Sequence, residues 1–339
     1  MSDFNYQVSE TEANDFKRFA NRWDRGRTGK SNTRSKGLLH YQANSAEAAL
    51  LLPGHECLDV VHGLRSGIFT ANTNIIAVER NRPIQEVQLK KLDSLGFSVE
   101  RGNLTPFLGS IHDLPLVHIL GNLGRKVLPY TWWDICGFLS RRDVTWFLAN
   151  RGCFTRGSRI VTTTAVSVWR YPALHVATHL AGGVSDSVRR RVIAADNDWF
   201  HEGITSTQER QVVGAAFSQA QLLQAVFADN VMSVNWSSVY RDGPRAARGR
   251  RDGAVPMVTV DVELGEKLTP AASAANRKWL DDVVRISGEL DARTATLAYR
   301  KLYGKQDGIP FDPWRDQTSI GVEAMEATPV TETASDLED

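Results

Sequence analysis

The stretch His55–Asn81, HECLDVVHGLRSGIFTANTNIIAVERN, decides how the rest of the chain is read. It divides into two apolar, β-branched runs, Cys57–Val61 and Asn74–Val78, on either side of a turn carrying Gly63 and Gly67. An acidic residue, Glu79, closes the second run. Short continuous apolar runs bounded by turn residues read as strands buried on both faces. Asp59 and Glu79 are separated by about the 20 residues that lie between a glycine-loop strand and the ribose-binding carboxylate of nucleotide-binding α/β folds.

Upstream, Ser45–Leu52 (SAEAALLL) reads as a short helix capped by Ser45 and stopped by Pro53-Gly54. Downstream, Pro83–Leu95 carries helical spacing with Pro83 at its start and Gly96 at its end. Phe97–Glu100 reads as a third strand leaving through Arg101-Gly102-Asn103-Leu104, and Leu128–Ile135 as a fourth that includes Asp134. Ser140 caps a helix to about Asn150, and Arg159–Val168 is a strongly β-branched fifth strand. Residues 170–231 are mostly helical, then Val231–Tyr240 and Val255–Leu264 alternate as an antiparallel hairpin. Strand and helix in repeated alternation predict a parallel sheet wrapped by helices.

The chain has 339 residues and a formal net charge of +1, so no global field draws it to a polyanion. Charge is nevertheless segregated. Residues 17–36 hold Lys17, Arg18, Arg22, Arg25, Arg27, Lys30, Arg34 and Lys36, and the hairpin loop holds Arg241, Arg245, Arg248, Arg250 and Arg251. The last residues are acidic and rich in Thr and Ser. Three separated cysteines exclude a CxxC zinc or redox motif and suit a reducing, cytoplasmic setting. No run is long and apolar enough for a membrane span. TGKS at Thr28–Ser31 lacks the upstream glycine and strand of a phosphate loop. His175 and His179 stand at i, i+4 without the acidic partner of a hydrolase motif, so no metal site is expected.

Taken together, CLDVVHG, Glu79, Arg101-Gly102-Asn103-Leu104 and Asp134-Ile135-Cys136-Gly137 resemble, in order, the motifs of the class I S-adenosylmethionine (SAM) methyltransferases. The resemblance covers roughly residues 40–265. It implies an α/β, Rossmann-like, mostly parallel seven-stranded sheet with a C-terminal antiparallel hairpin and helices on both faces. Asp59, His62 and Gly63 then lie in the first cofactor loop, where Val61 and Arg65 replace two expected glycines. Glu79 corresponds to the ribose carboxylate, Gly102 and Asn103 to the adenine turn, and Asp134 to the position beside the transferred methyl. Asp134 and Cys136 are the candidate catalytic residues and S-adenosylmethionine the implied cofactor. Around this domain (39–265, with a helical insertion at 170–231) the sequence predicts a basic flexible arm (1–38), a helical extension (266–319) and a disordered acidic tail (320–339).

Each assignment has a structural alternative: Glu79 as a solvated strand end, Asn103 as a turn residue, Asp134 as a helix cap, Cys136 as a small buried residue. Two functions follow. One is a SAM-dependent methyltransferase acting on RNA or DNA, with Arg245, Arg248, Arg250 and Arg251 following the phosphate backbone. The other is a catalytically inactive binding or assembly module that keeps the fold and contacts nucleic acid or partner proteins. A nicotinamide oxidoreductase is a third reading, weakened by the missing GxGxxG.

Overall fold

The structure is a computed structural model and describes residues 46–54, 56–135, 138–165, 171–182, 196–197, 206–242 and 255–303. The expected arm, acidic tail and basic hairpin loop lie outside these residues. The chain centres on one eight-stranded sheet in the order β3-β2-β1-β4-β5-β8-β7-β6. Its strands are β1 (Ala48–Leu51), β2 (Asn74–Glu79), β3 (Leu104–Leu108), β4 (Tyr130–Asp134), β5 (Arg159–Ala165), β6 (Asp196–Asn197), β7 (Asn230–Asp242) and β8 (Val255–Lys267). Strands β1 to β5 are mutually parallel, and β8 is antiparallel to both β5 and β7. Apart from the two-residue β6, this is the expected mostly parallel seven-stranded sheet with its antiparallel hairpin. The helices are α1 (Leu58–Arg65), α2 (Arg82–Ser94), α3 (Leu116–Asn122), α4 (Arg141–Asn150), α5 (Ala173–Leu180), α6 (Ser206–Val226), α7 (Pro270–Glu289) and α8 (Ala292–Tyr303).

Strand alternation sorts the core into two layers. Ala49, Leu51, Ile75, Ala77, Tyr130, Trp132 and Val161 pack with Cys57, Val60 and Leu92, from the start and body of α1 and from α2. Ala48, Leu50, Ile76, Val78, Trp133 and Ile160 face the other way, onto α3 to α8. The arrangement is a three-layer α/β/α sandwich, with the α5–α8 helices thickening one side.

Three local expectations are corrected, and all three concern register along the chain. Ala48–Leu51 is the central strand, not part of a helix, and every one of its residues is buried. Ala and Leu favour helices, but a strand with parallel neighbours on both edges and helices on both faces needs apolar residues throughout. Leu58–Arg65 is correspondingly a helix rather than the first strand. Its buried Val60 and Gly63 are spaced to share one face. The third strand is Leu104–Leu108 instead of Phe97–Glu100. Residues 97–103 form the turn that enters it, where Gly102 takes a φ of 71° that suits glycine.

Gly63 is therefore a packing glycine inside α1. A Cβ there would lie 2.0 Å from Cδ2 of Phe69, a ring 2% exposed and set edge-on against Tyr130. Gly63→Ala is expected to destabilise the fold by about 1–3 kcal/mol, as overpacking a filled core does. Trimming the ring with Phe69→Leu in the same chain should return part of that loss, measured by thermal and urea unfolding. Additive losses in the double variant would exclude the contact as the cause.

Candidate functional site

Strand register places a row of residues along the carboxyl edge of the sheet. Leu51 pairs with Ala77 on one side and Trp132 on the other, so Glu79, Pro53 and Asp134 stand level, two residues further on. Leu108 pairs with Glu79, and Thr163 with Asp134, extending the row at both ends. With neighbouring strands about 4.8 Å apart, Glu79 and Asp134 flank the end of β1 roughly 10 Å from each other. Parity turns both toward the α1 and α2 side. Thr163 shares that side, and its Oγ1 accepts from Trp132 Nε1 at 3.2 Å.

Glu79 is held firmly. Its Oε1 accepts from the backbone N–H groups of Arg80 at 2.8 Å and Asn81 at 2.9 Å, and its Oε2 from Gln88 Nε2 at 3.3 Å. The same Gln88 nitrogen donates to the Pro53 carbonyl, tying α2 to the end of β1. Gln88 is 1% exposed, and its Oε1 has no hydrogen-bond partner among the described residues. A buried, unpaired acceptor costs free energy unless something donates to it. Burial pushes the Glu79 carboxyl above its ordinary range, against the lowering effects of the two backbone donors, Arg80 and Gln88.

The pH consequence of that shift follows directly. A carboxyl whose folded pKa is raised holds its proton more tightly in the folded state, so its ionised form costs stability above that pKa. The cost is relieved as pH falls through it. Glu79→Gln should therefore exceed the parent in thermal midpoint at pH 7.5, with the gap closing in acid. A gap constant with pH would show that the carboxylate is not strained by burial.

The loop between β1 and α1 passes this row. Gly54 accepts from the Cys57 N–H at 2.9 Å, and Cys57 takes a left-handed φ of 49°. For a non-glycine residue that costs about 1–2 kcal/mol, and such strain gathers where a backbone is shaped around a ligand. Asp59 is buried in the first turn of α1, where the helix dipole favours a carboxylate. His62 sits one turn further on, half-buried, and Gly63 packs on Phe69, so neither lies in the loop.

Asn103 is the clearest correction. It precedes β3, at the amino edge, five residues before Leu108, so it lies roughly 16 Å from the row. Its Oδ1 accepts from Ser98 N at 2.9 Å, and its Nδ2 donates to the Ala71 and Gly96 carbonyls at 3.0 Å each. It is a buried turn brace, Gly102 belongs to the same turn, and neither joins Glu79 and Asp134 along the carboxyl edge as an adenine turn would. The carboxyl end of β3 instead leads into Gly109-Ser110. Cys136 lies outside the described residues, as do Arg245, Arg248, Arg250 and Arg251.

Sequence reasoning missed a relay behind the row. Asp143, in the first turn of α4, accepts from Ser140 N at 2.6 Å, Trp133 Nε1 at 3.0 Å and His112 Nε2 at 2.9 Å. Because a carboxylate only accepts, His112 carries its proton on Nε2, and Nδ1 faces Ser110 Oγ at 3.2 Å. The Ser140–Asp143 capping box was readable from S-x-x-D. The long-range partner His112 was not. The relay pins the loop after β3 to the start of α4.

No family model matches the chain, and no curated relative does. Among solved structures, an rRNA methylase from Streptococcus thermophilus aligns at 12% identity and TM-score 0.33, covering 69% of this chain and 95% of that one. An O-methyltransferase from Bacillus cereus, in complex with SAH, aligns at 12% identity and TM-score 0.39, covering 75% and 89%. A precorrin-6y C5,15-methyltransferase from Geobacter metallireducens aligns at 9% identity and TM-score 0.37, covering 69% and 88%. No residue of this chain takes a role from them. By its own strand order, parallel register and antiparallel C-terminal hairpin, the chain has the Rossmann-like fold expected from its resemblance to class I methyltransferases.

Proposed function

We propose that the protein is a SAM-dependent methyltransferase acting on nucleic acid. The observation carrying this reading is the edge row, in which a buried Glu79 carboxylate stands beside the unpaired Gln88 Oε1 at the end of the central strand. A carboxylate has about four acceptor positions, and three donors reach Glu79. One position is open, and the long Gln88 contact is readily exchanged for a ribose hydroxyl. Gln88 Oε1 would accept from the second. The residues present thus fit an adenosyl group.

When bound, SAM supplies a methyl on a sulfonium that already carries its own leaving group. The protein then has to bind, orient and exclude water. Glu79 and Gln88 would hold the ribose, the Pro53–Cys57 loop and the α1 start would lie under the amino acid part, and Gly109-Ser110 would take the role expected of Asn103. Asp134, level with Glu79 across β1, would orient the nucleophile or take its proton. The nucleic acid part of the reading is supported by the basic clusters at 17–36 and 241–251. No helix among the described residues is long and apolar enough to cross a membrane.

Calorimetric titration of the full chain with SAM tests the reading. Micromolar binding is the expected result; no heat at millimolar SAM would leave the inactive binding module as the function. Retention of labelled RNA should fall steeply with salt and fall further when Arg248, Arg250 and Arg251 are replaced by alanine.

A further inference from the structure

The helix α8 (Ala292–Tyr303) carries a stripe of charge that its own packing does not use. Its inner face is fixed: Ala295, Ala298 and Tyr299 are buried, and Tyr299 stacks on Tyr171 with ring centroids 3.6 Å apart. The outer stripe holds Arg293, Leu297, Arg300 and Lys301, which stand at i, i+4, i+7 and i+8 and are all exposed. Leu297 lies among the cations and is 38% exposed. No acidic residue occurs in α8. Arg300 and Lys301 have no ion-pair partner among the described residues. Arg293 has only the field of Asp291, whose carboxylate already accepts from Thr294 N at 2.7 Å.

The sequence that follows α8 supplies a match for this stripe in charge, order and reach. Residues 320–339 contain Glu323, Glu326, Glu332, Asp336, Glu338 and Asp339 and no Lys or Arg. Glu323 and Glu326 bracket Met325 as Arg293 and Arg300 bracket Leu297. An extended chain with three residues per turn would present Glu323 and Glu326 on one side, about 9 Å apart. Seven residues of helix set Arg293 and Arg300 about 10 Å apart. Glu323 is 20 residues beyond Tyr303. A flexible chain of that length averages about 25 Å end to end, against about 18 Å for the whole of α8. A short tether of this kind gives a local concentration in the millimolar range. Exposed ion pairs are individually weak and screened by salt, so three cations hold a tethered segment far better than a free strand of nucleic acid.

We propose that the outer face of α8 is a docking surface for this chain's own acidic segment, residues 320–339. Glu323 and Glu326 pair with Arg293 and Arg300, and Met325 covers Leu297. The inference goes beyond the methyltransferase reading and is independent of it, because it uses neither SAM nor the edge row.

Zero-length carbodiimide coupling of the full chain tests the docking, because Lys301 is the one lysine of α8. At low salt, a peptide joining Lys301 to an acid of residues 320–339 should be recovered from the monomer. Its yield should fall about fivefold at roughly 0.5 M salt, where exposed pairs are screened. Arg293→Glu with Arg300→Glu should lower it as far, although Lys301 remains. Acids of the segment joined only to Lys17, Lys30, Lys36 or Lys305 would overturn the proposal. So would a Lys301 cross-link that forms between chains in a mixture of isotopically light and heavy protein. A Lys301 that couples to no acid, and is shielded from acetylation only when single-stranded RNA is added, would make nucleic acid the occupant and overturn it as well. The cross-links of the parent protein decide by themselves, so a variant that fails to fold leaves the outcome readable.

Discussion

Glu79→Ala is expected to weaken SAM binding about hundredfold in calorimetry. A ribose presents two adjacent hydroxyls, and hydrogen bonds to a charged acceptor contribute about 1.5–3 kcal/mol each. Losing the open acceptor position and the alignment of Gln88 together would cost about 2.7 kcal/mol, which is the stated factor. The carboxylate does more than supply charge, because its grip on the Arg80 and Asn81 N–H groups also sets the entry to α2, from which Gln88 projects. Glu79→Gln keeps an acceptor for those two groups and should lose less. Asn103→Ala is the control: its side chain braces a turn at the opposite edge, so it should lower the thermal midpoint and leave SAM affinity unchanged. Equal SAM affinity in the parent and Glu79→Ala would remove the edge row from consideration as a nucleotide site.

The contrast between Glu79 and Asn103 shows which parts of this site were legible in the sequence. Strand β2 announces itself by a β-branched run and β4 by an aromatic one, so Glu79 and Asp134 were placed at strand ends correctly. The central strand did not, because AALL has the composition of a helix and becomes a strand only when two neighbours and two helical layers bury it. Mistaking it for a helix moved the first loop one element downstream and assigned Gly63 to cofactor contact, when its missing Cβ makes room for Phe69. The same kind of slip put Asn103 after the third strand rather than before it. Five residues of register exchange one edge of a sheet for the other, and composition alone does not fix that register. The His112–Asp143 bond, spanning 31 residues, had no local signature at its histidine end. By contrast, the α4 cap, the two long strands of the hairpin and the helices α7 and α8 followed from short-range signals.

Removing the buried charge at position 261 should have the largest effect on stability. Arg159 at the start of β5 is 1% exposed and Asp261 on β8 is not exposed at all. The guanidinium Nε donates to both carboxylate oxygens, at 2.8 and 3.0 Å, and Nη2 adds a further bond. Asn235 Nδ2 donates to the same carboxylate at 3.3 Å. Burial opposes a charge on Arg159, and the Asp261 carboxylate outweighs it, so the guanidinium stays ionised. This pair fastens the antiparallel hairpin to the parallel half of the sheet. Asp261→Ala strands a buried cation and should cost about 3–5 kcal/mol, a drop of roughly 10 °C in Tm for a domain of this size. Arg159→Met with Asp261→Leu removes both charges and fills the space with apolar atoms. Because the pair's desolvation cost disappears with it, the double variant should recover most of the loss and can match the parent. Thermal unfolding of the three proteins decides the matter: if the double variant is as unstable as Asp261→Ala, the hairpin is held by the geometry of these hydrogen bonds, and charge desolvation is not what the single substitution exposes.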